Sequence, residues 1–575
     1  MRLLPAIVLA AATVAVGACG TNEPTQPNSG LAPCPAGSSP ITVSLPVGGV
    51  RVIGTPASLD CVELTASDAG PDSFLVVAAN ANPASDSLAQ YAVTAGALVP
   101  AAERVAADRI ASSLELRTNA VAEGRFRAME RRVLQLDRAT GLRPASSLLS
   151  ASRVRTQVSA AVLPNVGDTL SFNVPDANAT NACLTYTAVK AVVKAVGTHG
   201  IIVQDTAAPA EFTATDFTSI RDEFDQIIYP TDTLHFGSPS DIDNNGHVFL
   251  LITPQVNLAT KKGSNSVLDG FFFGGDLFPA GTAPGQCKES NETEIFYLLA
   301  PDPNAKFGDA RTTSTVRQSV RGTIAHEFQH MINLGVRIRD NAPDEDTWLN
   351  EALSHFAEEI VGRAEDGFTD TQELTISDIA DFSDSLKNFN AFFGQNLARH
   401  REWLINPGKL GAISSHADTS LAVRGAAWAL VRWSADHYAN GNVAAFTRAL
   451  VAGPQFGVDN LVARSGVPFD SLMAGWLVAN WSDNDNITGL DARYTYPSWN
   501  MRNVQLALKV NNNTYPLVPA PLDSGLALDR TTDSGTGDFF LAAVTPARSV
   551  KIGELKTSGG AVAYSGARLY ILRVH

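Results

Sequence analysis

The sequence predicts an α+β protein made of several domains. Both ends of the chain contain short runs in which apolar and polar residues alternate, the pattern of strands with one buried face. The middle contains longer segments whose apolar residues recur every three or four positions, which is typical of amphipathic helices. With 575 residues, of which 45% are hydrophobic, the chain can bury several cores. We therefore expect β domains at the two ends and a mixed domain of helices and strands between them.

The first residues have the composition of an export signal. Arg2 precedes an apolar run, Leu3 to Val16, that is too short to span a bilayer comfortably. The run ends in Val16-Gly17-Ala18-Cys19, which resembles the lipobox of a bacterial lipoprotein, whose cysteine is acylated. We predict a signal peptide over 1–18, lipid attachment at Cys19 and a Pro-rich tether over 19–33. This predicts an exported lipoprotein bound to the bilayer at the cell envelope, the outer membrane or the cell surface, and an ordinary signal peptide cut nearby is the alternative.

The next two segments differ in composition. Residues 34–115 contain alternating runs such as Ile41 to Leu45 and Phe74 to Val77, which predict a small β domain. Residues 116–160 have a helical composition with clustered arginines, including Arg131-Arg132. They form either an exposed connecting helix or a pro-region that is cut at this pair.

Four cysteines remain after Cys19, an even number that is consistent with disulfides in an exported protein. The pairing that keeps each bond within one proposed domain is Cys34 with Cys61 and Cys183 with Cys287. The sequence alone does not exclude other pairings.

The most informative stretch of the chain is His326-Glu327-Phe328-Gln329-His330. In a helix, residues i and i+4 share a face and are separated by about 6 Å of rise, so both imidazoles can bind one metal ion. This spacing is the HExxH signature of zinc peptidases, in which the glutamate serves as a general base. The stretch therefore predicts His326 and His330 as zinc ligands and Glu327 as the catalytic base.

A second helical pattern begins shortly after the first and supplies a carboxylate at Glu351. Catalytic zinc takes three protein ligands and leaves a fourth position open, and two histidines with one glutamate form a known set. Glu351 is therefore the predicted third ligand. The elongated HExxHxxGxxH motif does not fit, because Asn333 and Val336 stand where it needs glycine and histidine.

Both segments have the periodicity and the end signals of helices. The first has an apolar stripe that stops before Gly335, and the second begins after Asp344 to Thr347 and reaches Gly362. We expect both glycines to end their helices. The apolar stripe of the first helix consists of Val316, Val320, Ile324, Phe328 and Ile332.

These residues resemble the gluzincins, zinc peptidases in which HExxH is followed by a helix with an NExxS motif, matched here by Asn350 to Ser354. The segments Tyr229 to Asp232 and Asp241 to Gly246 make the hyicolysin-type family the most similar one, over roughly residues 165–480. The resemblance implies a thermolysin-like peptidase domain. In thermolysin-like enzymes the residue four positions after the ligand glutamate is an aspartate that orients a zinc-bound histidine. Here that position is His355, which with Asn350 is expected beside the ligands.

The implied activity is hydrolysis of peptide bonds in extracellular or envelope proteins, with Glu327 moving the proton of an activated water. Aminopeptidases of the same clan carry a GxMEN string, which this sequence lacks, so an endopeptidase is favoured. Two alternatives are a non-catalytic binding or adhesion lipoprotein on a peptidase-like fold, and a structural envelope protein in which the motif is a coincidence. The formal charge of −15 argues against a nucleic-acid partner.

Two further patterns lie upstream of the motif. Asp241, Asp243 and Asn245 before Gly246 have the spacing of the first half of an EF-hand calcium loop, but position twelve is Ile252 rather than glutamate. A tight turn is therefore the favoured interpretation, with calcium as the alternative. The run Glu294 to Ala300 is a strand that either pairs with substrate as an edge strand or lies in the core.

The peptidase domain is predicted over 161–485 and a C-terminal β module over 486–575. The C-terminal evidence is the alternation at Val504, Leu506, Leu508 and Val510 and the apolar runs Phe539 to Val544 and Arg568 to Leu572.

Overall fold

The computed structural model describes residues 39–54, 61–66, 71–95, 163–264, 267–380, 388–418, 420–508, 514–522, 527–545, 550–556 and 565–575. The predicted signal peptide, Cys19, the tether, Cys34 and the whole of the proposed connector, 116–160, lie outside these residues. None of the helices in the described ranges has the length and apolarity needed to cross a bilayer.

Sixteen strands are formed by the described residues. They are β1 Ile41–Val43, β2 Val50–Ile53, β3 Cys61–Leu64, β4 Asp72–Asn80, β5 Ala89–Ala95, β6 Thr169–Pro175, β7 Tyr186–Val196, β8 Gly200–Asp205, β9 Val248–Thr253, β10 Gly270–Phe272, β11 Ile295–Leu299, β12 Ala520–Pro521, β13 Ala527–Thr532, β14 Thr536–Val544, β15 Val550–Lys556 and β16 Ala567–Arg573.

The same ranges contain twelve α-helices. They are α1 Ala214–Glu223, α2 Tyr229–Phe236, α3 Pro254–Ala259, α4 Thr313–Arg339, α5 Thr347–Glu365, α6 Ile376–Ile379, α7 Gly394–Ile405, α8 Leu421–Tyr438, α9 Val443–Val451, α10 Gly457–Ser465, α11 Phe469–Ser482 and α12 Met501–Ala507. Single π-helical turns, Phe224–Ile228 and Phe389–Phe393, lead into α2 and α7.

The middle of the chain is built on a six-stranded mixed sheet with the order β10-β11-β9-β8-β7-β6. Strands β8, β9 and β11 are parallel to one another and buried along their whole length, whereas β10, at one end of the sheet, runs antiparallel to β11. Helix α4 packs along β10 and β11, and α5 packs on α4. The middle of the chain is therefore an α+β domain, as the sequence predicts.

The run Glu294 to Ala300 is an interior strand rather than an edge strand. Its core, β11, pairs with β9 on one side and with β10 on the other. Both sides are therefore occupied, and a substrate cannot add to β11. The outer strand at this end of the sheet is β10, whose three residues are buried against α4.

Neither glycine that was expected to end a helix does so. Helix α4 continues past Gly335 to Arg339, and Asn341 with φ 52° provides the left-handed turn after it. Helix α5 continues past Gly362 to Glu365, and Gly367 with φ 74° follows. Gly362 is instead a place where another part of the chain approaches the helix closely, whereas Gly335 has its nearest neighbour, Ser240, at an ordinary contact distance.

The two ends of the chain form one β-sandwich. Its sheets have the orders β1-β3-β15-β5-β13 and β12-β14-β4-β16-β2, so N-terminal and C-terminal strands share both sheets. Apolar side chains from both ends fill the space between the sheets, among them Val76, Phe540 and Ile571. The sequence predicts separate β domains at the two ends. The structure differs because each segment supplies only part of either sheet, and neither set of strands covers its apolar face without the other.

Residues 486–508 belong to the central domain rather than to the β structure. The alternation at Val504, Leu506 and Leu508 lies in or beside helix α12, which Asn500 caps by accepting a hydrogen bond from the backbone N–H of Asn503. Residues 504 and 508 are also one helical turn apart, so a short alternating run fits both patterns. The strand interpretation was wrong for Val504, Leu506 and Leu508, and Val510 lies outside the described residues.

A disulfide joins Cys183 to Cys287 and links residues 104 positions apart in the central domain. This is one of the two predicted pairings. Cys61 is also disulfide-bonded, and its predicted partner, Cys34, lies outside the described residues.

Candidate metal centre

The site begins with helix α4, which is held on most of its faces. Thr312 caps its first turn by accepting a hydrogen bond from the backbone N–H of Thr315. Its apolar stripe is buried in the core, and the polar side chains His326, Glu327 and His330 are also buried. A helix fixed in this way presents its polar side chains in a defined direction.

The two imidazoles and the carboxylate of Glu351 converge on one point. The Nε2 atoms of His326 and His330 are 3.1 Å apart. Glu351 Oε2 lies 3.6 Å from His326 Nε2, and Oε1 lies 3.8 Å from His330 Nε2. Ligand atoms held about 2.0–2.2 Å from one tetrahedral zinc are roughly 3.3 Å apart. The three predicted ligands therefore have the donor atoms and the spacing that a zinc ion needs.

Glu327 is not one of the three converging donors. Its Oε2 accepts a hydrogen bond of 2.7 Å from the backbone N–H of Phe272 in β10. Strand β10 therefore fixes the carboxylate next to the ligands without making it one of them, which is the position required of a base.

The residue that contacts the far side of the His326 ring is Glu358. His326 Nδ1–H donates to Glu358 Oε1 at 2.8 Å, and His355 Nδ1–H donates to the same oxygen at 2.8 Å. The resemblance draws attention to His355, whose ring lies 4.7 Å from the His326 ring and shares the Glu358 carboxylate with it. Glu358 was missed, although it follows Glu351 by seven residues, two helical turns, and so lies on the same face.

His330 is held by the residue before the third ligand. The His330 Nδ1 atom lies 3.1 Å from Asn350 Oδ1. In the next turn of α5, Ser354 donates a hydrogen bond of 2.6 Å to the side chain of Gln329 in α4. Asn350 thus lies beside a ligand, as the sequence suggests. Hydrogen bonds of this kind orient metal-binding histidines.

Glu351 is paired with an arginine that the sequence did not reveal. Arg424 on helix α8 is fully buried, and its Nη1 lies 2.9 Å from Glu351 Oε2. The Nε–H of Arg424 donates to the carbonyl of Ala417 at 2.7 Å, which anchors the guanidinium. The available signal was weak: two arginines, Arg424 and Arg432, in the otherwise apolar stretch from Leu421 to Trp433.

The electrostatics of the cluster favour a cation. Burial opposes ionisation of Glu351, but Arg424 and the two histidines hold the pKa of its carboxyl well below the usual range. Burial would lower the pKa of His326, yet the nearby carboxylates of Glu351 and Glu358 raise it to about 10. The carboxylates around His326 therefore attract positive charge to the place where a metal ion would bind.

A second grouping of donors, His326, His355 and Glu358, lies within 4.8 Å but suits a metal less well. Arg399 Nη1 lies 3.1 Å from His355 Nε2. Burial and the charge of Arg399 lower the pKa of His355 to about 3, so the ring is neutral and a cation already lies beside it.

The predicted half of a calcium loop gains a carboxylate from another segment. Asp241 and Asp243 come within 4.8 Å of the buried Glu294. Asn245 instead uses its side chain locally, since its amide donates to Asp243 Oδ2 at 2.7 Å and its Oδ1 accepts from the backbone N–H of His247 at 2.5 Å. Calcium binding stays a prediction.

Two histidines that follow the ligand helices in the chain have partners outside the ligand cluster. His437 Nε2 hydrogen-bonds the carbonyl of Thr495 at 3.0 Å. His416 is 58% exposed at its side chain and lies 3.3 Å from Asp86. These contacts do not favour a catalytic role for either histidine.

Comparison with known proteins supports a metallopeptidase relationship. The chain is 30% identical over 144 residues to the neutral metalloprotease ShpI of Staphylococcus hyicus, a match that covers 25% of this chain and 30% of that protein. No protein-family model matches the chain. The aligned stretch is shorter than the resemblance expected over residues 165–480. A metal, with zinc favoured, fits both this relative and the cluster of His326, His330 and Glu351.

Proposed function

We propose that this protein is a zinc-dependent endopeptidase of the gluzincin type. The observation that carries the proposal is the convergence of His326, His330 and Glu351 with Glu327 held beside them. Two histidines, one carboxylate and an adjacent base form a set suited to metal-assisted hydrolysis. The similarity to a neutral metalloprotease supports the same reaction class.

Zinc, when bound, would polarise the scissile carbonyl and make water a better nucleophile at neutral pH. Glu327 takes a proton from the attacking water and delivers it to the leaving amine. The backbone N–H of Phe272 keeps the Glu327 carboxylate in place for both transfers. Glu358 and Asn350 hold the two imidazoles so that their Nε2 atoms face the third ligand.

The proposed substrates are extracellular or envelope proteins and peptides. The sequence lacks the GxMEN string with which related aminopeptidases hold a free amine, so cleavage within a chain is favoured.

The proposed location is the cell envelope, with a lipid anchor at Cys19. The support is the apolar run and the lipobox-like sequence that ends at this cysteine. Incorporation of labelled palmitate into the native protein, and its loss in Cys19→Ala, would test the anchor. Equal labelling of the two proteins would contradict it.

The experiment that tests the activity combines zinc analysis with cleavage of casein and of a quenched peptide. Glu327→Gln is expected to keep one zinc per chain and to lose at least about a thousandfold in turnover, because the amide cannot accept the proton. Glu211→Gln, a similar change at an exposed site, should behave like the native protein. Equal turnover in the native protein and Glu327→Gln would contradict the mechanism, and zinc without cleavage in the native protein would favour the binding protein.

A further inference from the structure

Arg424 is an unusual neighbour for a metal ligand. A bound zinc ion carries two positive charges, and the guanidinium lies 2.9 Å from a carboxylate oxygen of the proposed ligand Glu351. Both side chains have no solvent exposure, so water screens little of their interaction. The positive charge of Arg424 therefore attracts Glu351 and opposes a cation at the ligand cluster.

The ion pair of Arg424 with Glu351 compensates a buried negative charge in the metal-free protein. A buried carboxylate without a counter-charge is strongly destabilising, and removing one partner of a buried ion pair exposes that cost. In the absence of metal, Arg424 supplies the counter-charge, and its own position is fixed by the carbonyl of Ala417. Once a metal ion is bound, the ion itself compensates Glu351, and Arg424 is needed less.

We propose that Arg424 is a positioning residue that takes the place of the cation in the metal-free protein, keeping Glu351 directed at the two histidines at the expense of zinc affinity. The inference rests on the proposed metal site and adds a determinant of its occupancy. Binding equilibria impose a reciprocal relation: a group that stabilises the metal-free form more than the metal-bound form weakens metal binding by the same factor.

The test compares Arg424→Gln with the native full-length protein, each prepared zinc-free with a chelator and zinc-loaded. Thermal unfolding is measured for both forms, and zinc affinity is measured by competition with a chromophoric chelator. We expect Arg424→Gln to lower the Tm of the zinc-free form strongly and that of the zinc-loaded form much less. Its zinc Kd should be tighter by roughly tenfold to a hundredfold.

Arg432→Gln is the matched control. Arg432 lies two turns further along the same helix, is fully buried and pairs with Asp436 at 2.6 Å rather than with a proposed ligand. The control should lower the Tm of both forms by similar amounts and leave zinc affinity unchanged. A purely structural Arg424 would behave in the same way. Equal Tm losses with unchanged zinc affinity, or weaker zinc binding, in Arg424→Gln would therefore overturn the proposal.

Arg424→Lys keeps the test decisive if the glutamine variant does not fold. The lysine retains the charge but has a shorter reach and a single ammonium group. We expect zinc affinity to tighten by less than in Arg424→Gln, and unchanged or weaker affinity would overturn the proposal. His326→Ala separates this inference from the proposed function. If it left zinc binding intact, the metal site itself would be wrong, and the role of Arg424 would fail with it.

Discussion

At the scale of single residues, the proposed centre depends on carboxylates that are not ligands. Glu358 accepts hydrogen bonds from His326 and His355 through one oxygen. Burial opposes its ionisation, but His355 and His326 lower the pKa of Glu358 below its usual range, so it is a carboxylate. This contact places the proton of His326 on Nδ1 and leaves Nε2 available for a metal.

Glu358→Gln should therefore weaken zinc binding. Loss of a carboxylate that orients a ligand histidine typically lowers metal affinity by about ten- to a hundredfold. Competition with a chelator measures the change. Glu365→Gln, the same substitution at the end of the same helix, serves as the control and should bind zinc like the native protein. Native affinity in Glu358→Gln would show that the carboxylate does not hold the ring.

The sequence was most informative where the site is local. His326, Glu327 and His330 follow from helical geometry alone, and Glu351 follows from the ligand count of zinc. Arg424 lies 73 positions beyond Glu351, and the two side chains come into contact because helix α8 packs on α5. No spacing rule connects residues on helices whose packing is unknown.

At the scale of elements, one of the two helices that carry the ligands, α5, is closely packed at a glycine, whereas the glycine of the other, α4, is not. A Cβ at Gly362 in α5 would lie 2.6 Å from the Cβ of Phe392 and 2.7 Å from the ring of Phe393. A Cβ at Gly335 in α4 would meet Ser240 at an ordinary distance of 3.4 Å. The sequence predicts a helix end at both glycines. A glycine in a helical pattern can mark either a helix end or a position with no room for a side chain, and the sequence does not distinguish the two.

Gly362→Ala should destabilise the protein by about 1–3 kcal/mol, since the added methyl group overpacks the contact with the π-helical turn. Gly335→Ala is the matched comparison. It adds a methyl group at a tolerable distance and gains up to about 1 kcal/mol of helix propensity. Denaturant unfolding measures both variants. Equal stability changes for the two would refute the packing explanation.

Helix α5 is also held by a buried charge one residue beyond Glu358. Glu359 accepts hydrogen bonds from the indole N–H groups of Trp428 and Trp499, both at 2.9 Å, and from Arg363 Nε at 2.8 Å. The four side chains are buried. Glu359 thereby fixes α5 against α8 and the segment before α12, which keeps the Glu351 turn in register with α4.

At the scale of the whole molecule, the sandwich is the feature that local patterns could not reveal. The runs Phe74 to Val77 and Phe539 to Val544 have the composition of strands, and they do lie in strands β4 and β14. Their pairing with each other, from Asp72 opposite Val544 to Asn80 opposite Thr536, joins opposite ends of the chain. Alternation identifies a strand but carries no information about its partner.

This pairing bears on the proposed pro-region. If the chain were cut after Arg132, the N-terminal fragment would still contribute β1 to β5 to the two sheets. We therefore expect both fragments to co-elute in size-exclusion chromatography after limited cleavage and to separate only in denaturant. Release of the N-terminal fragment under native conditions would contradict the shared sandwich.

Buried acids predict the pH dependence of stability. Burial raises the pKa of Asp276 and of Asp483 to about 7, against an ordinary value of 3.8. The folded protein therefore holds protons that the unfolded chain has released, so this contribution is complete below pH 3.8 and is lost as the pH rises through 7. The Tm of the zinc-loaded protein should therefore fall from about pH 5 to about pH 7 and level off above that pH.

Asp276→Asn should reduce this fall, because the amide does not ionise. Asp222→Asn, a change at a carboxyl whose side chain is 47% exposed, is the control and should keep the native slope. A Tm that rises from about pH 5 to about pH 7, or an Asp276→Asn slope equal to the native one over that range, would show that these acids do not govern the trend.

Because strands from both ends of the chain share the β-sandwich, it can assemble only late in synthesis of the chain. Both neighbours of β4 are the late strands β14 and β16, and Asp72 forms an ion pair with Arg573, a residue 501 positions further along the chain. A ribosome therefore completes nearly the entire polypeptide before the earliest strands can find their partners. Until then these strands are potential sites for wrong association, so a translation product that stops early would be a poor substrate for folding even if its peptidase segment were intact.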